Sequence, residues 1–528
     1  MALFTEIHTL ADLVRLHARQ RPQQTAFWFR GRETAYGDLD ARTSRIANGL
    51  IAAGVTPQTR IAYLGKNSES YFELLFGAAK ARAVLVAVNW RLAPAEIEYV
   101  LHDSETALLF VEDEFRQVAE AMRSRLPALQ RVIALDAEAL SAGGNDEFTT
   151  WRDTQAPTDP NLPVNGDDAI LQMYSSGTTG RPKGVEIMHQ SFPALRRAEH
   201  AIGGWATLTP DDVSLVVMPT FHMLGTGLAI TALYNGATCV ILKQADAKET
   251  LEVIPRLKVR MLTAAPAFLG LLLQDEACRR TDFSSLRVIT YAGSPINPTL
   301  LAEAVRVFGC EFVQYYGTTE SVGEVTALTP EDHRRGDERL LQSCGRPIPG
   351  VILRIVDGQG RDLDTGKTGE FWVQTPAIMK SYWKLPEATA ETLRDGWYRT
   401  GDVGYRDEQG YYYIVDRLKD MIVTGGENVY SAEVEAVLAA HPAVREVAVI
   451  GVPDPKWGEA VKAIVVKKPG VEATAAEIIA FARERIAGYK APKSVDFTDT
   501  LLPRTPSGKV LKRELRAPYW AGQERRVS

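Results

Sequence analysis

The chain has 528 residues, of which 45% are hydrophobic and 24% charged, with 41 glycines and 28 prolines. This length suggests roughly three or four folding units with ample core, and the composition excludes a low-complexity or disordered chain. Its 60 basic and 66 acidic residues give a formal charge of -6, so no global basic field is available to hold nucleic acid or an anionic membrane.

The N-terminal stretch MALFTEIHTLADLVRLHARQRP carries Glu6 and Asp12 and has apolar residues at helical spacing. It lacks the basic start and apolar block of a signal peptide. No uninterrupted apolar run reaches the ~18 residues of a transmembrane helix, so a cytoplasmic protein is expected. From Arg60 the chain alternates strand (IAYLG), helix (SYFELLFGAAKAR), strand (AVLVAVN), helix (AEIEYVLHDS) and strand (ALLFVE), a rhythm that predicts a parallel sheet covered by helices. The same rhythm returns from Thr238, predicting a second wound sheet. Cys239, Cys278, Cys310 and Cys344 fall far apart with no CxxC and no histidine cluster, which argues for buried thiols and against disulfides or zinc.

Beyond Pro347 short alternating segments separated by Gly/Asp turns predict a small antiparallel region. After DRLKD the pattern becomes a glycine-rich loop, an amphipathic helix and further strands, as in a compact α+β domain. The expected fold is therefore α/β. A large N-terminal domain of wound, mostly parallel sheets plus a small β region spans residues 1–416, and a small mobile α+β C-terminal domain spans 417–528.

Ligands of wound sheets bind beyond the carboxyl ends of the strands, where unusual loops fall here. YSSGTTGRPKGV, residues 174–185, places Ser175, Ser176, Gly177, Thr178, Thr179 and Gly180 before Lys183. It fails the P-loop pattern, because its glycines are too close and no Ser/Thr follows the lysine. It nevertheless combines close backbone approach, an amide nest, hydroxyls and an ammonium, which together suit a phosphate. AGSP (Gly293, Ser294, Pro295), YYGTTE (Tyr316, Gly317, Thr318, Thr319, Glu320) and FHMLG (His222) also follow apolar strands. Taken alone, the acidic TTE would be a polar loop, the GD of YRTGDVG an ordinary turn, and His222 a packing residue.

These segments, with YRTGDVG, DRLKDMIVTGGENVYSAEVE and LPRTPSGKVLKREL, resemble in order the motifs of the adenylate-forming (AMP-binding) superfamily across residues 10–516. The likeness points to its acyl-CoA and aryl-CoA synthetase branch. The resemblance implies a two-step ligase. A carboxylate attacks the α-phosphate of ATP to give an acyl-adenylate and pyrophosphate, and a thiol, usually that of coenzyme A, then displaces AMP. By similarity Ser175 to Gly180 and Lys183 hold the β- and γ-phosphates, and Tyr316 lies against adenine opposite Gly293, Ser294 and Pro295. Gly317 and Thr318 complete that nucleotide loop, Thr319 donates to the α-phosphate, and Glu320 holds magnesium, a hard ion that shares oxygen ligands with phosphates. Asp402 accepts from the ribose hydroxyls, Arg417 reaches ribose or phosphate, and His222 positions the acid.

The resemblance further implies that the C-terminal domain rotates about Lys419, so that Gly426 lines the pantetheine path. Arg91, Trp457 and Tyr489, with Lys490, would contact the coenzyme A nucleotide. Ala491 stands where some relatives carry arginine. The expected substrate is a hydrophobic monocarboxylic acid, a medium- or long-chain fatty acid or an aryl acid, since the segments assigned to its pocket contain no lysine or arginine. Other readings are a luciferase-like oxygenase and an enzyme that loads a carrier protein; the chain ends soon after Lys509 without a carrier domain, which favours coenzyme A. The partners expected are the acid, ATP and coenzyme A, without nucleic acid, and a homodimer is the assembly considered. Lys509 is assigned to placing positive charge between the carboxylate and the α-phosphate. Lys509→Ala is therefore expected to raise the adenylation barrier by about 2.7 to 4 kcal/mol. An unchanged rate of pyrophosphate exchange would remove the assignment.

Overall fold

The computed structural model describes residues 4–136, 144, 146–175, 182–294, 296–418, 420–424, 427–504 and 510–521. The chain forms two compact units, residues 1–352 with 373–398, and residues 353–372 with 399–528.

Two wound sheets build the first unit, as the strand–helix rhythm predicts. One has seven strands among the described residues, in the order Ser381–Tyr382, Lys183–Met188, Ala169–Ser175, Val84–Val88, Arg60–Leu64, Leu108–Glu112 and Arg131–Leu135. Its five central and distal strands run parallel, and Lys183–Met188 and Ser381–Tyr382 add an antiparallel edge. The other has nine strands among the described residues and runs from Arg346–Pro347 through Glu311–Thr318, Val288–Ala292 and Val213–Val216 to Thr25–Phe29 and Arg32–Ala35. The hairpin at residues 25–35 thus precedes the first sheet in sequence but completes the second, with Phe27 opposite Cys239 in parallel register.

The core lies between these sheets. Phe27, Val216 and Cys239 of the nine-stranded sheet share one apolar cluster with Ile61, Leu85 and Leu171 of the seven-stranded sheet. Helix Glu69–Ala81 crosses this layer with every residue buried, and Phe72 stacks on Phe27 at 5.4 Å. Its charged groups are paired, as burial demands. Glu73 takes Arg42 at 2.9 Å and Arg152 at 2.8 Å, while Lys80 reaches Asp40 at 2.6 Å. Among the described residues no helix is long and apolar enough to cross a membrane, and all four cysteines are free.

In the second unit, Val444–Asp454 and Gly458–Lys467 form a long hairpin, beside which Ser494–Thr498 runs parallel. Helices Ser431–Ala439 and Ala475–Arg483 supply Val434, Leu438, Ile478 and Ala482 to its core. Strand Tyr412–Arg417 joins this unit physically: Asp416 accepts from the Ser431 hydroxyl at 2.6 Å and the Ala432 amide at 3.3 Å. The Tyr412 hydroxyl donates to the Leu353 carbonyl at 2.7 Å.

Two buried histidines tie the first unit to its N-terminal helix Leu10–Gln20. His189 Nδ1 accepts from the Leu10 amide at 3.2 Å, and His17 Nε2 lies 3.0 Å from the Tyr234 carbonyl. Loss of hydration lowers both imidazoles to about 4. Because the folded values lie below the ordinary 6.5, their contribution is complete above pH 6.5 and is lost as pH falls towards 4. We expect stability in urea to drop across that window, each histidine adding at most about 1.4 kcal/mol per pH unit. His189→Asn, which can keep an acceptor for Leu10, should flatten the slope; an identical slope would refute this origin.

Candidate active site

On the first unit the strand end that carries Ser175 and the edge residue Tyr382 meet the turn that carries Glu320. Strand Glu311–Thr318 continues through Tyr316, Gly317 and Thr318, which sequence reading places in a loop. It pairs antiparallel with Gly323–Leu328, and this pairing keeps the three residues extended. Only residues 319–322 form the turn, closed by the Val322 amide donating to the Thr319 carbonyl at 3.1 Å. A Cβ on Gly317 would stand 1.7 Å from the Gly323 carbonyl oxygen, so this approach requires glycine.

Val322 occupies φ +56° and is 1% exposed. A β-branched residue is strained there by about 1–3 kcal/mol. Ser321, fully buried, braces the turn by accepting from the Thr318 amide at 2.9 Å and donating to the Gly323 carbonyl at 2.8 Å.

The carboxylate at the tip of this turn is held from three sides. Tyr382 donates to Glu320 Oε1 at 2.9 Å and Ser175 donates to the same oxygen at 3.4 Å. Tyr398 approaches Oε2 at 3.5 Å and also meets the Thr318 hydroxyl at 2.9 Å. The Met379 amide donates to the Glu320 carbonyl at 2.8 Å. Lys183 pairs with Ser175 across the hairpin and sets its ammonium over the Tyr382 ring at 4.6 Å. One half-buried carboxylate ringed by hydroxyls, with a lysine beside it, fits a magnesium–triphosphate. A hard cation of that kind brings water and phosphate oxygens as its other ligands. Tyr382 lies in none of the motifs read from the sequence, and Tyr398 opens YRTGDVG, where only Asp402 was given a role.

The residues expected from sequence to position the acid lie on neighbouring elements of the same unit. His222 precedes helix Met223–Tyr234, and its carbonyl accepts from the Gly225 and Thr226 amides at 3.1 Å. Asn67 staples the loop before it, donating to the carbonyls of Met218 at 3.0 Å and Leu242 at 3.1 Å and accepting from Thr220. Arg91 stacks over Trp90 at 4.9 Å and near Phe221 at 6.0 Å, where burial lowers its guanidinium. Ala292 lies opposite Tyr315, so Gly293 and Tyr316 follow adjacent strand positions. Gly293 has φ +89° with Leu224 beside it, and Ser294 is half-buried next to it.

The remaining described candidates lie on the second unit. Asp402, 2% exposed, faces Arg417 in register, and Arg417 Nε stands 2.5 Å from its Oδ1. Trp457 and Tyr489 are exposed, as a stacking role requires. Ala491 is fully buried in the core. Lys490 is held by both oxygens of Glu433, at 2.7 and 2.8 Å. Ser176, Gly177, Thr178, Thr179, Gly180, Pro295, Lys419, Gly426 and Lys509 lie outside the described residues.

Two helix-covered sheets, with a lysine hairpin and a carboxylate turn meeting beyond their strand ends, have the form of an adenylate-forming enzyme. The AMP-binding enzyme family matches residues 14–383, and the AMP-binding enzyme C-terminal domain matches residues 433–509. The chain belongs to this family, in its acyl-CoA synthetase branch, and is an AMP-forming acid–thiol ligase. It is 42% identical to the fatty acid–[acyl-carrier-protein] ligase ScoC of Streptomyces coeruleorubidus, over 99% of each chain. With a feruloyl-CoA synthase of Amycolatopsis it shares 39% identity, over 95% of this chain and 97% of the relative. Among solved structures, a Mycobacterium tuberculosis fatty acyl CoA synthetase superposes with a TM-score of 0.80 at 33% identity, over 98% of this chain and 100% of the other.

Tyr382→Phe isolates the contribution of the phenol, because it keeps the ring under Lys183. Loss of one hydrogen bond to an ionised group is expected to cost about 1.5–3 kcal/mol. The effect should appear as slower pyrophosphate exchange and a raised magnesium requirement. Unchanged values for both would mean that Tyr382 does not hold Glu320 during turnover.

Proposed function

We propose that the protein activates a hydrophobic monocarboxylic acid, a medium- or long-chain fatty acid or an aryl acid, and transfers it to coenzyme A. The arrangement of Lys183, Tyr382 and Glu320 is the observation that carries this reading. In the first step a carboxylate oxygen of the acid forms a bond to the α-phosphorus of ATP, and the bond to pyrophosphate breaks. No base is needed, since the acid is ionised at neutral pH. In the second step the thiol loses its proton, the sulfur bonds to the acyl carbon, and the bond to AMP oxygen breaks.

Lys183 neutralises charge on the departing pyrophosphate, Thr319 donates to the α-phosphate, and Glu320, kept in place by its tyrosines, would hold magnesium, which would supply positive charge to the phosphates. Asp402 and Arg417 serve the ribose, and Lys509 supplies the adenylation charge. Residues 417–528 are proposed to move as a body about Lys419 between the steps. Such a motion would break the Asp416–Ser431 contact, and it would bring Gly426 to the thiol. Arg91, Trp457 and Tyr489 are proposed to meet the nucleotide of coenzyme A.

A second reading has a carrier-protein pantetheine as acceptor, and two observations favour it. The 42% identical relative is named for that acceptor. In addition, Lys490, proposed for a coenzyme A phosphate, is neutralised by Glu433. The two readings separate in an assay of acids with ATP and magnesium, scored for pyrophosphate and for thioester on coenzyme A or on a pantetheinylated carrier. Thioester on coenzyme A is the expected result. Thioester on the carrier alone would replace coenzyme A as acceptor, and absence of pyrophosphate with every acid would overturn the proposal.

A further inference from the structure

Behind the acid-binding wall of the first unit lies a buried charged cluster that the proposed chemistry does not use. Arg196, on helix Ser191–Ile202, is 1% exposed. Its Nη2 stands 3.1 Å from Glu199 Oε1 and 3.9 Å from Glu324 Oε2, and its Nη1 donates to the Gly227 carbonyl at 3.5 Å. Arg196 Nε, Glu199 Oε2 and Glu324 Oε2 are all shielded from solvent and have no hydrogen-bond partner. Three unmet polar atoms in one cluster are costly, and buried polar groups ordinarily find a partner.

The cluster touches both elements that carry the proposed acid and nucleotide contacts. Gly227 lies one turn along the helix that begins after His222, and Glu324 is paired with Gly317. Gly227, Tyr315, Gly323 and Glu324 are all half-buried, whereas Leu228, Tyr316, Val322 and Val325 next to them are buried. These positions are therefore not sealed by packing, and a Cβ on Gly227 would meet only Met223, at 3.5 Å.

We infer that Arg196, Glu199 and Glu324 form a polar end to the acid pocket, which selects acids bearing a hydroxyl group remote from the carboxylate. This inference rests on the ligase reading above. A hydroxyl can accept from Arg196 Nε and donate to Glu324 Oε2 at once, so one group satisfies two of the unmet atoms. A second carboxylate would meet the carboxylate of Glu324 beside the guanidinium. A bare hydrocarbon end would leave all three of these atoms unmet. Burial lifts the Glu199 carboxyl to about 8 in spite of Arg196, which favours its protonated, donor form over that of an ordinary glutamate.

The test uses the full-length enzyme with ATP, magnesium and acids matched in shape. These are para-hydroxycinnamate against cinnamate, and fatty acids with the hydroxyl stepped along the chain against the parent acid. Pyrophosphate release gives kcat/KM for each. At least one hydroxylated acid should exceed its parent by about tenfold or more, since a site built for a hydroxyl rejects the analogue lacking it. In Arg196→Met, and separately in Glu324→Gln, that ratio should fall to within about threefold while the parent acid keeps most of its kcat/KM. A purely structural role would lower both members of a pair equally, and that result overturns the inference. If neither variant folds, the native ratios decide: equal use of every pair overturns it and leaves the ligase reading standing. No pyrophosphate with any acid would refute the ligase reading itself.

Discussion

The first unit's site depends on one close approach, that of the Gly317 backbone to the Gly323 carbonyl. Because no side chain separates these strands, the hairpin closes in a turn short enough to force Val322 to φ +56°. That turn is costly in isolation, and it persists because Ser321 and Val322 are buried and Ser321 ties both strands together. The same strain leaves Glu320 little freedom. Its carboxylate points to a fixed place, where Tyr382 and Ser175 meet it with hydroxyls. A preorganised carboxylate can take up a cation without a reorganisation step, which is where electrostatic catalysis gains its advantage.

Sheet packing carries that precision to the second half of the site. Tyr382 belongs to the edge of the seven-stranded sheet, with Val185 opposite it, while Glu320 belongs to a hairpin of the nine-stranded sheet. Their 2.9 Å contact therefore records how the two sheets sit within the first unit. Helix Glu69–Ala81 fixes that spacing. It is buried all round, and its two internal charges are fully paired, so sliding it would expose or orphan them.

The wound sheets were legible because alternating strands and helices leave a local signature, and the nucleotide loops because glycine, hydroxyl and lysine cluster at their tips. The hairpin at residues 25–35 was not placed, since TAFWF reads as a strand but its partner Thr238–Ile241 lies some two hundred residues away. Tyr382 was missed for a related reason, and Tyr398 was passed over inside YRTGDVG because only tertiary contact brings it to Glu320. An aromatic residue in an ordinary strand becomes a ligand-shell residue only through tertiary contact. Arg196 shows the limit most clearly: the segments assigned to the acid pocket contain no cation, yet the fold brings one against Gly227 from another helix.

That arginine also bears on how an enzyme of this kind limits its substrates. Apolar walls discriminate weakly, because an added or missing methylene changes binding by only about 1–3 kcal/mol. Polar atoms buried without partners discriminate more strongly, since the wrong ligand leaves their desolvation uncompensated. Arg196 and Glu199 are held in a layer where neither can move to water, and Glu324 is anchored through the strand that pairs with Gly317. The unmet atoms are therefore fixed relative to the reacting centre by the same hairpin that fixes Glu320. Distance from the carboxylate to the polar end is then set by backbone geometry, and it becomes the quantity by which an acid is measured.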